Sequence, residues 1–80
     1  MLKRRLSIFG STGSIGSSTL ALVDSAAERF TIECLVAGGN YALLAEQALQ
    51  YRPRIVGLRD ETGLAALQAA LAGSSIEIVA

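Results

Sequence analysis

A glycine recurs at every third position of residues 10–16, whose sequence is Gly-Ser-Thr-Gly-Ser-Ile-Gly. The apolar run 6–9 precedes this segment, and apolar residues at helical spacing follow it from Ser14 onward. Because glycine has no Cβ, such a turn lets the backbone approach a ligand closely. The unpaired N–H groups and the dipole of a helix that begins there favour a negative charge. The order strand, glycine-rich turn and helix therefore predicts a phosphate site of the dinucleotide-binding type.

The spacing of this turn is G-x-x-G-x-x-G rather than the more usual G-x-G-x-x-G. The longer form is a variant found in several nicotinamide-dependent families. Thr12 and Ser14 add hydroxyl groups for phosphate oxygens, and either could cap the helix that follows. Gly16 would let that helix pack closely against the preceding strand. A purely structural turn is the alternative, and the strand-turn-helix context favours phosphate binding over it.

The rest of the chain alternates between apolar runs and amphipathic segments. Ala27 continues the helical spacing of apolar residues that starts after the glycine-rich turn. Asn40 is placed to cap the second helix, and Pro53 marks the boundary after it. We predict strands at 6–9, 30–37, 55–58 and 76–79, and helices at 14–25, 41–51 and 61–71. Short connections in this order predict an α/β fold, a Rossmann-like doubly wound parallel sheet. No helix follows the fourth strand, so we expect residues 1–80 to open a larger protein.

Composition bounds the function. Seven basic and seven acidic residues leave no net charge, which argues against nucleic acid or an anionic membrane as a partner. Histidine, the commonest general base and metal ligand, is missing from the sequence. The single cysteine, Cys34, lies in an apolar run, where we expect a buried, unreactive thiol. The basic residues Lys3, Arg4 and Arg5 precede too short an apolar run for a signal peptide or membrane span, so we expect a cytoplasmic protein.

The end of the second strand tests the dinucleotide hypothesis. NAD sites usually carry a carboxylate about twenty residues beyond the glycines, where it holds the ribose 2′-hydroxyl. Residues 37–40 read Ala-Gly-Gly-Asn instead, and Glu33 comes too early, so we expect it to point outward. Without a carboxylate the site permits NADPH, although it has no basic residue either. Arg52, Arg54 and Arg59 follow later turns, where we expect solvated surface charges.

The glycine-rich turn, the Ala-Gly-Gly-Asn segment and Tyr-Arg-Pro at 51–53 together resemble the 1-deoxy-D-xylulose 5-phosphate reductoisomerase family. The likeness runs through essentially all eighty residues, including 43–48 and 70–73. It implies an NADPH-dependent enzyme of non-mevalonate isoprenoid biosynthesis. Such an enzyme rearranges a sugar-phosphate substrate and reduces the product to 2-C-methyl-D-erythritol 4-phosphate. The resemblance also implies a homodimer that uses Mg²⁺ or Mn²⁺, with metal ligands and catalytic residues beyond Ala80.

The resemblance further implies that residues 1–80 are the N-terminal portion of the NADPH-binding domain. The residues expected at the NADPH pyrophosphate are Thr12, Gly13, Ser14 and Ile15. Those expected at the adenosine ribose and its 2′-phosphate are Gly38, Gly39 and Asn40. The family often has lysine or arginine at position 39, so here backbone N–H groups and Asn40 would serve the 2′-phosphate. The alternatives are another NAD(P)H-dependent reductase, such as a relative of aspartate-semialdehyde dehydrogenase, or a stand-alone nucleotide-binding module.

Overall fold

The computed structural model describes residues 4–26 and 28–80, so the predictions for Lys3 and Ala27 concern residues outside this part of the chain. The order of elements agrees with the alternation expected from the sequence. In chain order they are β1 (Arg4–Phe9), α1 (Ser14–Ser25), β2 (Phe30–Ala37), α2 (Tyr41–Tyr51), β3 (Ile55–Leu58), α3 (Leu64–Ala70) and β4 (Glu77–Val79), with a 3₁₀ turn at Glu61–Gly63.

The four strands form one parallel sheet in the order β1-β2-β3-β4. Each strand is added on the same side of the one before it, so right-handed crossovers place α1, α2 and α3 on the same face of the sheet. The predicted Rossmann-like parallel α/β fold is thus confirmed, and the described residues supply one of its helical layers. Strand and helix side chains on that face form a single core: Ile8, Leu20, Val23, Ile32, Leu35, Ala37, Leu44, Ala45, Ala48, Val56, Leu58, Leu67 and Leu71.

A bulge interrupts the alternation of β2. Leu6 pairs with Ile32, but the next residue of β1 pairs with Cys34, which leaves Glu33 as the extra residue. Ile32 and Leu35 can therefore both face the core although they are three positions apart. Glu33 points away from the core, as predicted, and forms an ion pair with Arg54.

The same bulge corrects the prediction for Cys34. Its thiol is half-buried rather than buried, because the bulge places it on the sheet face that the helices leave uncovered. Burial raises the pKa of Cys34, the Glu33 carboxylate raises it further, and Arg54 lowers it. The net increase lowers the thiolate fraction below that of an ordinary cysteine, which is consistent with an unreactive thiol.

The helix boundaries agree less closely than the strands with those predicted from the sequence. Asn40 caps α2 as predicted, since its Oδ1 accepts a hydrogen bond from the Leu43 amide at 3.2 Å. The cap of α1 is Gly13, without a side-chain hydrogen bond, so the prediction of Thr12 or Ser14 is wrong. Gly13 is the last extended residue (φ −78°, ψ 172°), and Ser14 already belongs to the helix. The third helix begins later than predicted because the 3₁₀ turn occupies its expected first residues.

Candidate functional site

The glycine-rich turn is anchored to the end of β2. The amides of Gly10 and Ser11 both donate to the Val36 carbonyl, at 2.7 and 3.0 Å. Gly10 has a φ of 72°, a left-handed conformation that favours glycine. The Gly13 amide then donates to the Gly10 carbonyl at 3.0 Å and closes the turn. These bonds place the amino end of α1 at the carboxyl edge of the sheet.

Two glycines of the turn have different structural roles. A Cβ added to Gly16 would lie 2.2 Å from the Gly10 carbonyl oxygen and 2.7 Å from the Ser11 Cα, so α1 can pack against the turn only with glycine there. Gly16 thus has a packing role, as predicted, but the backbone that it approaches belongs to the turn at Gly10 and Ser11 rather than to the strand. A Cβ on Gly13 would meet only the Gly10 oxygen, at 3.4 Å, which is ordinary contact. The fold therefore does not require glycine at position 13, and its missing side chain leaves space on the solvent side.

A contact from α2 that the sequence pattern does not predict braces the turn. The Ser11 carbonyl accepts a buried hydrogen bond from Gln47 Nε2 at 2.8 Å and a longer one, 3.3 Å, from Ser17 Oγ. Gln47 is only 7% exposed, and it interrupts the apolar face that α2 turns to the core. A polar side chain at such a position is the sequence signal that could have identified it. The brace orients the turn from a helix 36 residues away along the chain.

An open cleft of about 410 Å³ lies over the glycine-rich turn. The predicted residues Gly13, Ser14 and Ile15 line it, whereas Thr12 is half-buried and lies outside the lining. Two apolar side chains at the cleft are open to solvent, Ile15 at 83% and Phe9 at 76% exposure. The cleft thus combines a helix amino end, which attracts anions, with apolar surface for a flat ring.

The other predicted residues, Gly38, Gly39 and Asn40, lie at the same edge of the sheet but outside the cleft lining. They follow β2 directly, and β2 pairs with β1 up to the register of Phe9 with Val36. The loop after β3 joins them, because the Arg59 amide donates to Ala37 O at 3.0 Å and the Asp60 amide to Gly38 O at 2.7 Å. Three loops therefore meet at the carboxyl edge.

Asp60 brings to this edge a negative charge that the sequence pattern does not predict. A Cβ built on Gly39 would lie 3.3 Å from Asp60 Oδ2, so the carboxylate borders the Gly38–Asn40 loop. The hydroxyl and amide of Thr62 both donate to Asp60 Oδ1, at 2.7 and 3.0 Å. These hydrogen bonds hold the pKa of Asp60 below its usual range, so it is ionised at neutral pH.

The arginines at the opposite edge of the sheet have other roles. Arg54 precedes β3 and pairs with the Glu33 carboxylate, and its Nη1 lies 4.0 Å from Glu77 Oε1. It is exposed, as predicted, but it is a paired charge rather than a lone one. The hydrogen bond to Glu33 and its charge raise the pKa of Arg54. Arg52, which ends α2 at the same edge, has a left-handed backbone with φ 52°.

No cluster of metal-ligating side chains exists within residues 4–26 and 28–80. None of the cysteine, aspartate and glutamate side chains there come together in a group of three or more. A metal site held by three or more such side chains is therefore absent from this part of the chain.

A parallel sheet whose first strand leads through a glycine-rich turn into a helix defines a dinucleotide-binding fold of the Rossmann type. Comparison with known proteins narrows this class. The family model described as 1-deoxy-D-xylulose 5-phosphate reductoisomerase matches residues 6–80, and the chain belongs to this family.

Curated relatives carry the same description. The reductoisomerase of Glaesserella parasuis serovar 5 is 47% identical over 79 residues, which cover 96% of this chain and 20% of that protein. The Synechocystis protein is 49% identical over 69 residues, or 86% of this chain and 18% of its own. The chloroplastic reductoisomerase of Mentha piperita is 44% identical over 68 residues, 85% of this chain and 14% of its own. The chain thus spans about a fifth or less of the length of these relatives.

Solved structures agree with the sequence relatives. The reductoisomerase of Zymomonas mobilis in complex with NADPH superposes with a TM-score of 0.93 at 35% identity, covering 98% of this chain and 21% of that one. A reductoisomerase in complex with NADPH, fosmidomycin and magnesium gives a TM-score of 0.88 at 29% identity, covering 95% and 19%.

Proposed function

We propose that this chain forms the NADPH-binding start of a 1-deoxy-D-xylulose 5-phosphate reductoisomerase. The observation that carries the proposal is the contrast between two glycines of the turn. Gly16 is required by the packing of α1, whereas Gly13 is not required by the fold and leaves open space at the cleft. A phosphate bound at the amino end of α1 explains why the backbone is kept bare there.

The pyrophosphate half of the proposed site uses the first turn of α1. The Gly13 amide is already bonded to the Gly10 carbonyl, so Gly13 contributes space rather than a donor. The amides of Ser14 and Ile15 have no acceptor within the helix, since its first backbone bond runs from Ser17 to the Gly13 carbonyl. Together with the Ser14 hydroxyl, these amides are the donors we assign to the pyrophosphate oxygens. The Thr12 hydroxyl lies outside the cleft lining, so its contact with the pyrophosphate stays a prediction from the sequence.

The adenosine half of the proposed site uses the loop after β2. Gly38, Gly39 and Asn40 are exposed at the carboxyl edge. Asn40 Oδ1 is committed to capping α2, and the Gly39 carbonyl accepts from the Tyr41 amide at 2.8 Å. The Asn40 side-chain amide and the glycine backbone remain to meet the ribose. Residues 1–80 then serve as the N-terminal portion of the NADPH-binding domain.

In the proposed reaction, NADPH supplies the hydride that reduces the rearranged substrate. The residues of this chain bind and orient the cofactor, and none of them is assigned a catalytic role. As the family resemblance implies, we expect the Mg²⁺ or Mn²⁺ of the proposed enzyme to take its ligands from residues beyond Ala80.

The proposal includes a sugar-phosphate substrate and a homodimer, as the family resemblance implies, and the cytoplasmic location stays a prediction from the sequence. Separately, within the described part of the chain every helix is too short or too polar to cross a bilayer.

The test compares the wild type with Gly13→Val. NADPH binding to each intact protein is measured by fluorescence titration. The added side chain projects into the cleft, so we expect affinity to fall by about 100-fold or more while the circular dichroism is retained. Ala21→Val adds the same kind of bulk on the exposed side of α1 and should bind as the wild type does. Unchanged affinity in Gly13→Val would refute the phosphate site.

Turnover separates the proposed enzyme from the alternatives. Oxidation of NADPH in the presence of 1-deoxy-D-xylulose 5-phosphate and Mg²⁺ is expected of the reductoisomerase. Binding of NADPH without turnover of this substrate would favour another reductase or a stand-alone nucleotide-binding module.

A further inference from the structure

The described basic residues are distributed unevenly between the two edges of the sheet. Five of them belong to the amino edge, where strands begin or helices end: Arg4, Arg5, Arg29, Arg52 and Arg54. Arg59 alone among the basic residues of 4–26 and 28–80 follows the carboxyl end of a strand. Its backbone amide donates to Ala37 O at 3.0 Å, so it lies beside the residue that precedes Gly38 and Gly39.

The loop that Arg59 adjoins has no basic residue of its own. Residues 38–40 are two glycines and an asparagine, and the Asp60 carboxylate borders them, with Oδ2 3.3 Å from a Cβ built on Gly39. An adenosine 2′-phosphate placed on this loop would meet that negative charge at short range. A cation at the carboxyl edge would offset this repulsion and add to the donors that the backbone N–H groups and Asn40 supply.

We propose that Arg59 binds the 2′-phosphate of NADPH and sets the preference of this protein for NADPH over NADH. The inference rests on the proposed function. The guanidinium is exposed, and none of the ion pairs between described residues involves it, so it keeps its donors for a ligand. Its planar fork of N–H donors suits bidentate binding of a phosphate.

Asp60 favours NADH over NADPH and so opposes Arg59. Thr62 occupies Oδ1, while Oδ2 faces the space beside Gly39. A carboxylate at this place accepts a hydrogen bond from a ribose hydroxyl of NADH but repels the 2′-phosphate of NADPH. The neighbouring residues Arg59 and Asp60 thus form a specificity pair in which the arginine favours the phosphorylated cofactor.

The test measures NADPH and NADH affinities of the intact wild-type protein and of Arg59→Gln, at low and high salt. We expect NADPH affinity to fall about tenfold or more in Arg59→Gln, and NADH affinity to change less than about twofold. The salt dependence of NADPH binding should weaken as well, which a purely structural effect would not produce. Arg59→Lys should restore part of the affinity.

Arg52→Gln is the matched control, since it removes the same charge from the amino edge and should leave both affinities unchanged. Adenosine 2′,5′-bisphosphate and 5′-AMP, used as competitors, isolate the contribution of the 2′-phosphate. A wild-type preference for NADPH that survives in Arg59→Gln would overturn this inference and leave the proposed function intact. A wild type that binds neither cofactor would overturn both.

Discussion

Replacing Gly16 by alanine should move the glycine-rich turn away from α1, because the new methyl group has no space. Its carbon would lie 2.2 Å from the Gly10 carbonyl oxygen, 2.7 Å from the Ser11 Cα and 2.8 Å from the Gly10 carbonyl carbon. All three are backbone atoms, which cannot rotate out of the way as a side chain can. The turn and the helix must separate by about 1 Å before ordinary van der Waals contact is restored.

The expected cost follows from two opposing effects. Overpacking against a rigid neighbour costs about 3 kcal/mol at the upper end of the usual range. Alanine stabilises a helix by about 1 kcal/mol relative to glycine, which offsets part of that cost. We therefore expect a net local destabilisation of about 2 kcal/mol. The displacement also moves the amides of Ser14 and Ile15, so NADPH affinity should fall by about 100-fold.

The assay is hydrogen exchange of the intact protein, read in peptides that cover residues 10–25, with NADPH titration alongside. A local loss of about 2 kcal/mol corresponds to exchange about 30-fold faster. Gly13→Ala is the matched control, because its Cβ would meet one atom at 3.4 Å and its φ of −78° suits any residue. Alanine is a poorer N-cap than glycine, so that variant should exchange up to about fivefold faster than the wild type, far less than Gly16→Ala, and yet bind NADPH more weakly.

The pair of variants thus separates folding from binding. Wild-type exchange and affinity in Gly16→Ala would refute the close packing of α1 on the turn. Faster exchange in Gly13→Ala, of the same size as in Gly16→Ala, would refute the claim that position 13 is kept bare for the ligand.

Two further predictions concern the supporting contacts. Gln47→Leu removes the buried hydrogen bond to the Ser11 carbonyl, so the free energy of unfolding should fall by about 1 kcal/mol and the NADPH affinity should fall several-fold. Thermal unfolding and NADPH titration measure the two effects, and unchanged values would show that the turn needs no brace. Glu33→Gln removes a charge that raises the pKa of Cys34, so alkylation of the thiol by iodoacetamide at mildly alkaline pH should become faster. Arg54→Gln removes a charge that lowers this pKa and should make alkylation slower. The reverse order of rates would contradict the assignment of these charges.

Much of the fold could be predicted because its signals are local. The strand at Phe30–Ala37 and the cap at Asn40 agree with the prediction, since strand periodicity and capping depend on residues within a few positions of one another. The α1 cap was predicted wrongly for the opposite reason. Two hydroxyl-bearing residues flank Gly13, and either is a suitable cap by residue type. The hydrogen bonds that close the turn make Gly13 the last extended residue and therefore the cap.

The candidate site divides in the same way. The glycine-rich turn is visible in the sequence, because three glycines at fixed spacing between a strand and a helix are a local pattern. The assignments of Thr12, Gly13, Ser14, Ile15 and the 38–40 loop to the cofactor stay predictions until binding is measured.

The sequence by itself determined the alternating strands and helices and the glycine-rich turn, because each depends on residues close together in the chain. The parallel α/β class follows from that alternation. Only the tertiary structure decided what surrounds the turn. Gln47 reaches Ser11 across 36 positions, and the loop of Arg59 and Asp60 joins the end of β2. The physical reason is the order of the strands. Pairing β3 beside β2 brings their carboxyl ends together, and no local pattern in the sequence specifies that neighbour.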